Sequence, residues 1–187
     1  MQIVHDPGGK NRFKMRPGTH GDAGFADARK EHRLWLLRDW SMEHLGSGAY
    51  ALWIGMNPST ADHVWDDLTV RKDQVFTEQH SLGLSRMFKV NISSYRSTDP
   101  AGLNARGVVI SHPDNLLTIR SLAKGASLIV AATGKVPGIL VPHAQNLFRA
   151  MKNDGCKMVC LGLTLDGWPK HSSRLAYSTP FQDFNPA

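Results

Sequence analysis

The chain has 187 residues, a formal net charge of +6 and an isoelectric point near 9.5. Its 41% hydrophobic and 20% charged residues match an ordinary folded protein, which excludes wholesale disorder, a collagen-like repeat and a coiled coil. No apolar run approaches the ~20 residues that cross a bilayer. Met1–Asp6 lacks the apolar core of a signal peptide, so a cytoplasmic location is expected.

The length fits one domain with a core of its own. Cys156 and Cys160 are the only cysteines; they are too few for a disulfide framework and wrongly spaced for a thiol-redox or zinc motif. The histidines are scattered, and neither a metal nor a cofactor is expected. The basic balance favours an anionic partner, DNA or a nucleotide. Nothing in the pattern calls for a membrane or a protein partner.

Residues 1–27 are rich in glycine and carry Lys10, Arg12, Lys14 and Arg16. They read as a basic, poorly ordered arm, with one α/β domain over residues 28–187. Leu34, Leu37, Trp40 and Leu45 recur at roughly helical spacing, which predicts an amphipathic helix ending near Gly46–Gly48. Short apolar runs at 50–54, 87–92, 126–132 and 157–161 read as buried strands. Helical patterns fit at about 68–82, 113–123 and 139–154. Alternating strands and helices predict a three-layer α/β/α sandwich around a central, mainly parallel four-stranded sheet. Residues 93–113 read as a long polar loop, a common place for function.

In open α/β sheets, ligands sit beyond the carboxyl ends of the strands. Gly55-Met56-Asn57-Pro58-Ser59-Thr60-Ala61-Asp62 follows the first strand. Gly55 permits an unusual turn, Pro58 stiffens it, and Ser59 and Thr60 could cap a turn or contact phosphate. Asn91 closes the second strand with one donor and one acceptor group, the pair that reads a base edge. Thr133-Gly134-Lys135 follows the third strand. After the fourth comes Asp166-Gly167-Trp168-Pro169-Lys170-His171-Ser172-Ser173-Arg174, whose Lys170 and Arg174 suit a phosphodiester. Asp66 or Asp67 is expected to cap the helix that begins near Leu68.

Taken in order, these strand ends resemble the uracil-DNA glycosylase superfamily. Gly55-Met56-Asn57-Pro58 is similar to its first motif, Asn91 to its base-reading asparagine, and His171-Ser172-Ser173 to its closing loop. The closing loop departs from that pattern, with Ser172 where a proline is usual. A second resemblance covers more of the chain. Arg33-Leu34, Asn57-Pro58-Ser59-Thr60-Ala61-Asp62, Asp66-Asp67-x-Thr69 and Gly167-x-Pro169-x-His171 look like a bacterial and phage family of unknown function.

The first resemblance implies a DNA glycosylase acting on an unusual or modified pyrimidine. Asn57 would place the water, His171 would hydrogen-bond the leaving base, and Asp62 or Asp67 could serve as general base. Asn91 would read the base, with Trp65, Phe88 or Tyr95 stacking on it once flipped. Ser59, Thr60, Lys135, Lys170, Ser172, Ser173 and Arg174 would hold phosphates. A pair among Asp62, Asp66 and Asp67 could instead hold a divalent metal near a phosphate or pyrophosphate. Two other readings share the scaffold: substitution of a hydroxymethylpyrimidine, and DNA binding without catalysis.

Overall fold

The computed structural model describes residues 4–8, 12–42, 48–105 and 107–186. In chain order the strands and helices are β1 (Phe13–Lys14), β2 (His20–Phe25), β3 (Arg33–Asp39), β4 (Ala51–Gly55), β5 (Trp65–Asp66), α1 (Leu68–Gln79), β6 (Arg86–Asn91), α2 (Asp114–Gly125), β7 (Leu128–Ala131), α3 (Val141–Asn153), β8 (Met158–Cys160) and β9 (Gln182–Phe184). Seven strands form one mixed sheet in the order β2-β3-β6-β4-β7-β8-β9, and β1 pairs with β5 in a small antiparallel sheet.

The four-stranded sandwich expected from the sequence is therefore corrected to a larger mixed sheet. Its middle strands, β6, β4, β7 and β8, run parallel. β2 and β3 extend one edge antiparallel, and β9 closes the other. The three-residue β9 is too short to show as a pattern, and β2 falls in the glycine-rich segment taken for an arm.

The largest correction concerns residues 28–48. A helix was expected there, but residues 33–39 form a strand hydrogen-bonded between β2 and β6. The helical spacing of Leu34, Leu37 and Trp40 is coincidental. Arg33 and Arg38, which fall between those apolar positions, are both buried. Leu45 and Lys10 lie outside the described residues. Within residues 1–27, β1 pairs with β5, β2 pairs with β3, and the Thr98 N–H donates to the Pro7 carbonyl at 3.0 Å.

Helices α2 and α3 cover one sheet face through Ile119, Ala123, Ala144, Leu147, Phe148 and Met151, packed with Leu52, Ile54 and Val90. Helix α1 covers the other face, where Val70 and Phe76 join a cluster with Trp53, Met87 and Val130. The Asp67 carboxylate caps α1 by accepting from the Val70 N–H at 2.9 Å. Period-two alternation along β6 sends Lys89 and Asn91 to the face opposite Phe88. That alternation decides which β6 residues reach the site.

Candidate functional site

A cavity of about 340 Å³ opens at the carboxyl ends of β4 and β6, beside the start of α1. Its lining includes Asn57, Ser59, Thr60, Asp67, Asn91 and His171, all given site roles from the sequence, together with Arg33, Lys89, Ser97 and Thr98, which were given none.

The segment 57–62 is held from behind by three buried arginines. Arg33 Nη1 donates to the Ala61 carbonyl at 2.7 Å, Arg38 Nη2 to the Asp62 carbonyl at 2.7 Å, and Arg96 Nε to the Ser59 carbonyl at 3.3 Å. With its carbonyls engaged by cations, the loop cannot collapse onto the sheet. Asn57 Nδ2 donates to the Ser97 carbonyl at 2.6 Å and the Pro58 carbonyl at 3.2 Å. Its Oδ1 accepts no hydrogen bond among the described residues and remains available to a water or ligand donor. Gly55 serves close approach rather than a left-handed turn: a Cβ there would lie 2.6 Å from Asn91 Nδ2.

Asn91 is buried, and its Oδ1 accepts from Arg33 Nη2 at 3.3 Å. Lys89 Nζ pairs with the buried Asp73 carboxylate, which also accepts from Ser172 Oγ at 2.5 Å. Burial pushes the Asp73 carboxyl up, and the Lys89 ammonium opposes that shift. Ser172, expected on phosphate, is thus a buried strut joining the closing loop to α1.

His171 accepts at Nδ1 from the Ser173 N–H at 3.3 Å, and Ser173 Oγ lies 2.7 Å from the same nitrogen. With Nδ1 accepting, the neutral ring carries its proton on Nε2. Burial first, and then the neighbouring Lys89 charge, push the imidazole down to about 4. It is neutral at physiological pH.

A second cavity of about 510 Å³ shares Met56 and His171 with the first. Lys135, Lys170, Ser173 and Arg174 line it, so four candidate phosphate ligands gather beside the primary cavity. Lys135 Nζ also lies 3.2 Å from the Asp166 carboxylate, both side chains well exposed.

Four sequence candidates stand elsewhere. Asp62 Oδ1 closes a turn, accepting from the Val64 and Trp65 N–H groups at 2.9 and 3.0 Å. Trp65 sits in the β1–β5 pair. Phe88 packs edge-on against Trp35 and Tyr50 on the α2 side of the sheet. Tyr95 lies against His5 and His32, with ring centroids at 5.1 and 5.7 Å. None of the three proposed stacking rings lines the primary cavity. Asp66 faces Arg38 at 2.7 Å in a fully buried pair, so it is not paired with Asp67 around a metal. Among the described residues, no group of three or more His, Cys, Asp or Glu is placed to hold a metal ion.

Arg33 was hidden by the helical reading. Lys89 had a readable signal: a lysine inside an otherwise apolar strand, two residues from Asn91 and therefore on its face.

A family model described as "Protein of unknown function (DUF1643)" matches residues 33–172. The chain belongs to this family. The DUF1643 segment begins at Arg33 on the cavity wall and ends with His171 and Ser172 on and behind it. No curated protein and no solved structure matches the chain. Among the described residues, no helix is long and apolar enough to cross a membrane.

Proposed function

We propose that this DUF1643 protein is a glycosylase-like hydrolase that releases a modified pyrimidine from DNA. The observation that carries the reading is the convergence of Asn57, Asp67, Asn91 and His171 on one base-sized cavity. Hydrolysis of an N-glycosidic bond needs an ordered water and a stabilised leaving base. Asn57 Oδ1 orients the water. Asp67, whose cap bond uses one carboxylate oxygen, takes its proton with the other. The neutral His171 donates Nε2–H to the carbonyl oxygen of the departing base, where negative charge develops. Asn91, braced by Arg33, reads the base edge. Met56, shared by both cavities, supplies the apolar contact that no aromatic ring provides. The second cavity takes the DNA phosphates on Lys170 and Arg174, and the net charge of +6 favours that encounter.

The experiment is incubation with single- and double-stranded DNA carrying uracil, 5-hydroxymethyluracil or a glycosylated base, followed by alkali and a count of broken strands. Base release is expected from at least one substrate. Asp67→Asn keeps the helix cap and is expected to cut the rate at least about a hundredfold. Intact strands on every substrate would end this reading.

A further inference from the structure

We infer that the inner wall of the primary cavity is a seat for a terminal oxyanion, a phosphate monoester or carboxylate carried by the base itself. This inference rests on the proposed hydrolase site and names its substrate class: a pyrimidine whose substituent ends in an anion.

Three independent features converge. Arg33 is only 1% exposed, yet lines the cavity. Other buried cations of the sheet meet a carboxylate: Arg38 meets Asp66, and Lys89 meets Asp73. Arg33 has no carboxylate within ion-pair distance among the described residues, and its Nε has no hydrogen-bond partner. Burial lowers the guanidinium to about 9, so it still carries its charge at neutral pH. The Asp67 and Asp62 charges act on it from beyond ion-pair distance and offset burial only in part, and an anionic ligand in direct contact relieves the remaining cost.

The second feature is a set of unoccupied backbone donors. The N–H groups of Ser59 and Thr60 have no partner among the described residues, because the arginines hold this loop by its carbonyls. Both residues line the cavity. The third feature is the start of α1. Asp67 caps only the Val70 N–H with its side chain, leaving the N–H groups of Leu68 and Thr69, which also line the cavity, for a ligand. Cation, loop donors and helix start surround one space.

Depth decides the form of the anion. A residue 1% exposed is reached by the end of a group, not by the middle of a chain. An internal phosphodiester, substituted on both sides, is therefore left to the shallower Lys170 and Arg174, and the deep seat takes a terminal group.

The test is calorimetric titration of the full chain at pH 7 with inorganic phosphate, 5-carboxyuracil, uracil and thymidine 5′-monophosphate. Phosphate is expected to bind, and 5-carboxyuracil at least tenfold tighter than uracil. Leu68→Pro removes one free N–H at a helix position where proline is well tolerated, behind an Asp67 backbone that is already extended. It is expected to weaken 5-carboxyuracil about tenfold and to leave uracil unchanged. Equal affinity of the unaltered chain for 5-carboxyuracil and uracil overturns the seat without reference to any variant. Tighter binding of thymidine 5′-monophosphate than of 5-carboxyuracil overturns its assignment to the base. Oxyanion binding without base release from any DNA sinks the hydrolase and keeps the seat. Base release from uracil-DNA as fast as from 5-carboxyuracil-DNA does the reverse.

Discussion

Between the sheet and helices α2 and α3, the buried side chains are almost all apolar: Leu52, Ile54, Val90, Ile119, Ala131, Leu147 and Phe148 fill the space. Between the sheet and α1, the apolar cluster around Trp53 and Phe76 gives way, toward the strand ends, to Lys89, Asp73, Arg33 and Asn91. Thr77 in the same layer bridges Trp53 Nε1 at 2.8 Å and the Asp73 carbonyl at 2.7 Å. The first face needs only shape and burial. On the second, each buried charge must be matched, because a lone charge in a low-dielectric layer costs far more than a methylene. A fold that needed only stability would make both faces alike. The matched polar layer ends at the cavity, and Arg33, which among the described residues has neither a carboxylate within ion-pair distance nor a partner for its Nε, stands on the cavity wall.

The strongest way to break this contrast is to remove one partner of the polar layer. Lys89→Ala strands the Asp73 carboxylate with only Ser172 and is expected to cost about 3–5 kcal/mol in urea denaturation. The double variant Lys89→Met, Asp73→Leu removes both charges and is expected to recover most of that loss. A cost under about 1 kcal/mol for the single variant would mean that Asp73 is solvated and that the two faces are not different in kind.

Legibility in the sequence followed the same division. Period and apolar runs exposed β4, β6, β7 and β8, because buried parallel strands read as continuous hydrophobic stretches. The antiparallel strands β3 and β2 were lost for separate reasons. β3 carries two arginines, and buried arginines are indistinguishable from solvated ones until their partners in other segments are known. β2 is written His20-Gly21-Asp22-Ala23-Gly24-Phe25, with too few branched or aromatic residues to signal a strand. At the site, Asn57 and Asn91 were legible because they lie at the carboxyl ends of β4 and β6, and His171 because it stands in a dense polar segment of the loop after β8. The stacking rings were misplaced because proximity along the chain ignores alternation: Phe88 is one residue from Lys89 and on the other face.

The polar layer also predicts a pH dependence that adds to ordinary carboxylate-driven acid unfolding. His171 sits near 6.5 when unfolded and about 4 when folded, so the unfolded chain binds its proton first. The stabilisation is present in full above pH 6.5 and is lost as pH falls toward 4. The loss from this one group amounts to about 3 kcal/mol at pH 4. His32, also lowered by burial, contributes with the same sign. The comparison is therefore between the chain and His171→Asn, followed by thermal melts from pH 7 to 4. The variant is expected to show the shallower decline. Parallel curves would place His171 in solvent rather than against Lys89.

The smallest expected effect sharpens the contrast from the apolar side. Ile54 is fully buried against α2 and α3, one residue before Gly55 at the cavity mouth. Ile54→Val removes one methylene from a packed layer and is expected to cost about 1 kcal/mol of stability. It removes no charge, donor or acceptor, and its side chain points away from Lys89 and Asn91. Affinity for 5-carboxyuracil should then stay within about twofold of the unaltered chain at 25 °C, where both remain folded. If affinity instead falls tenfold, the packing under α2 and α3 positions the strand ends, and the division of labour between the two faces of the sheet is only apparent.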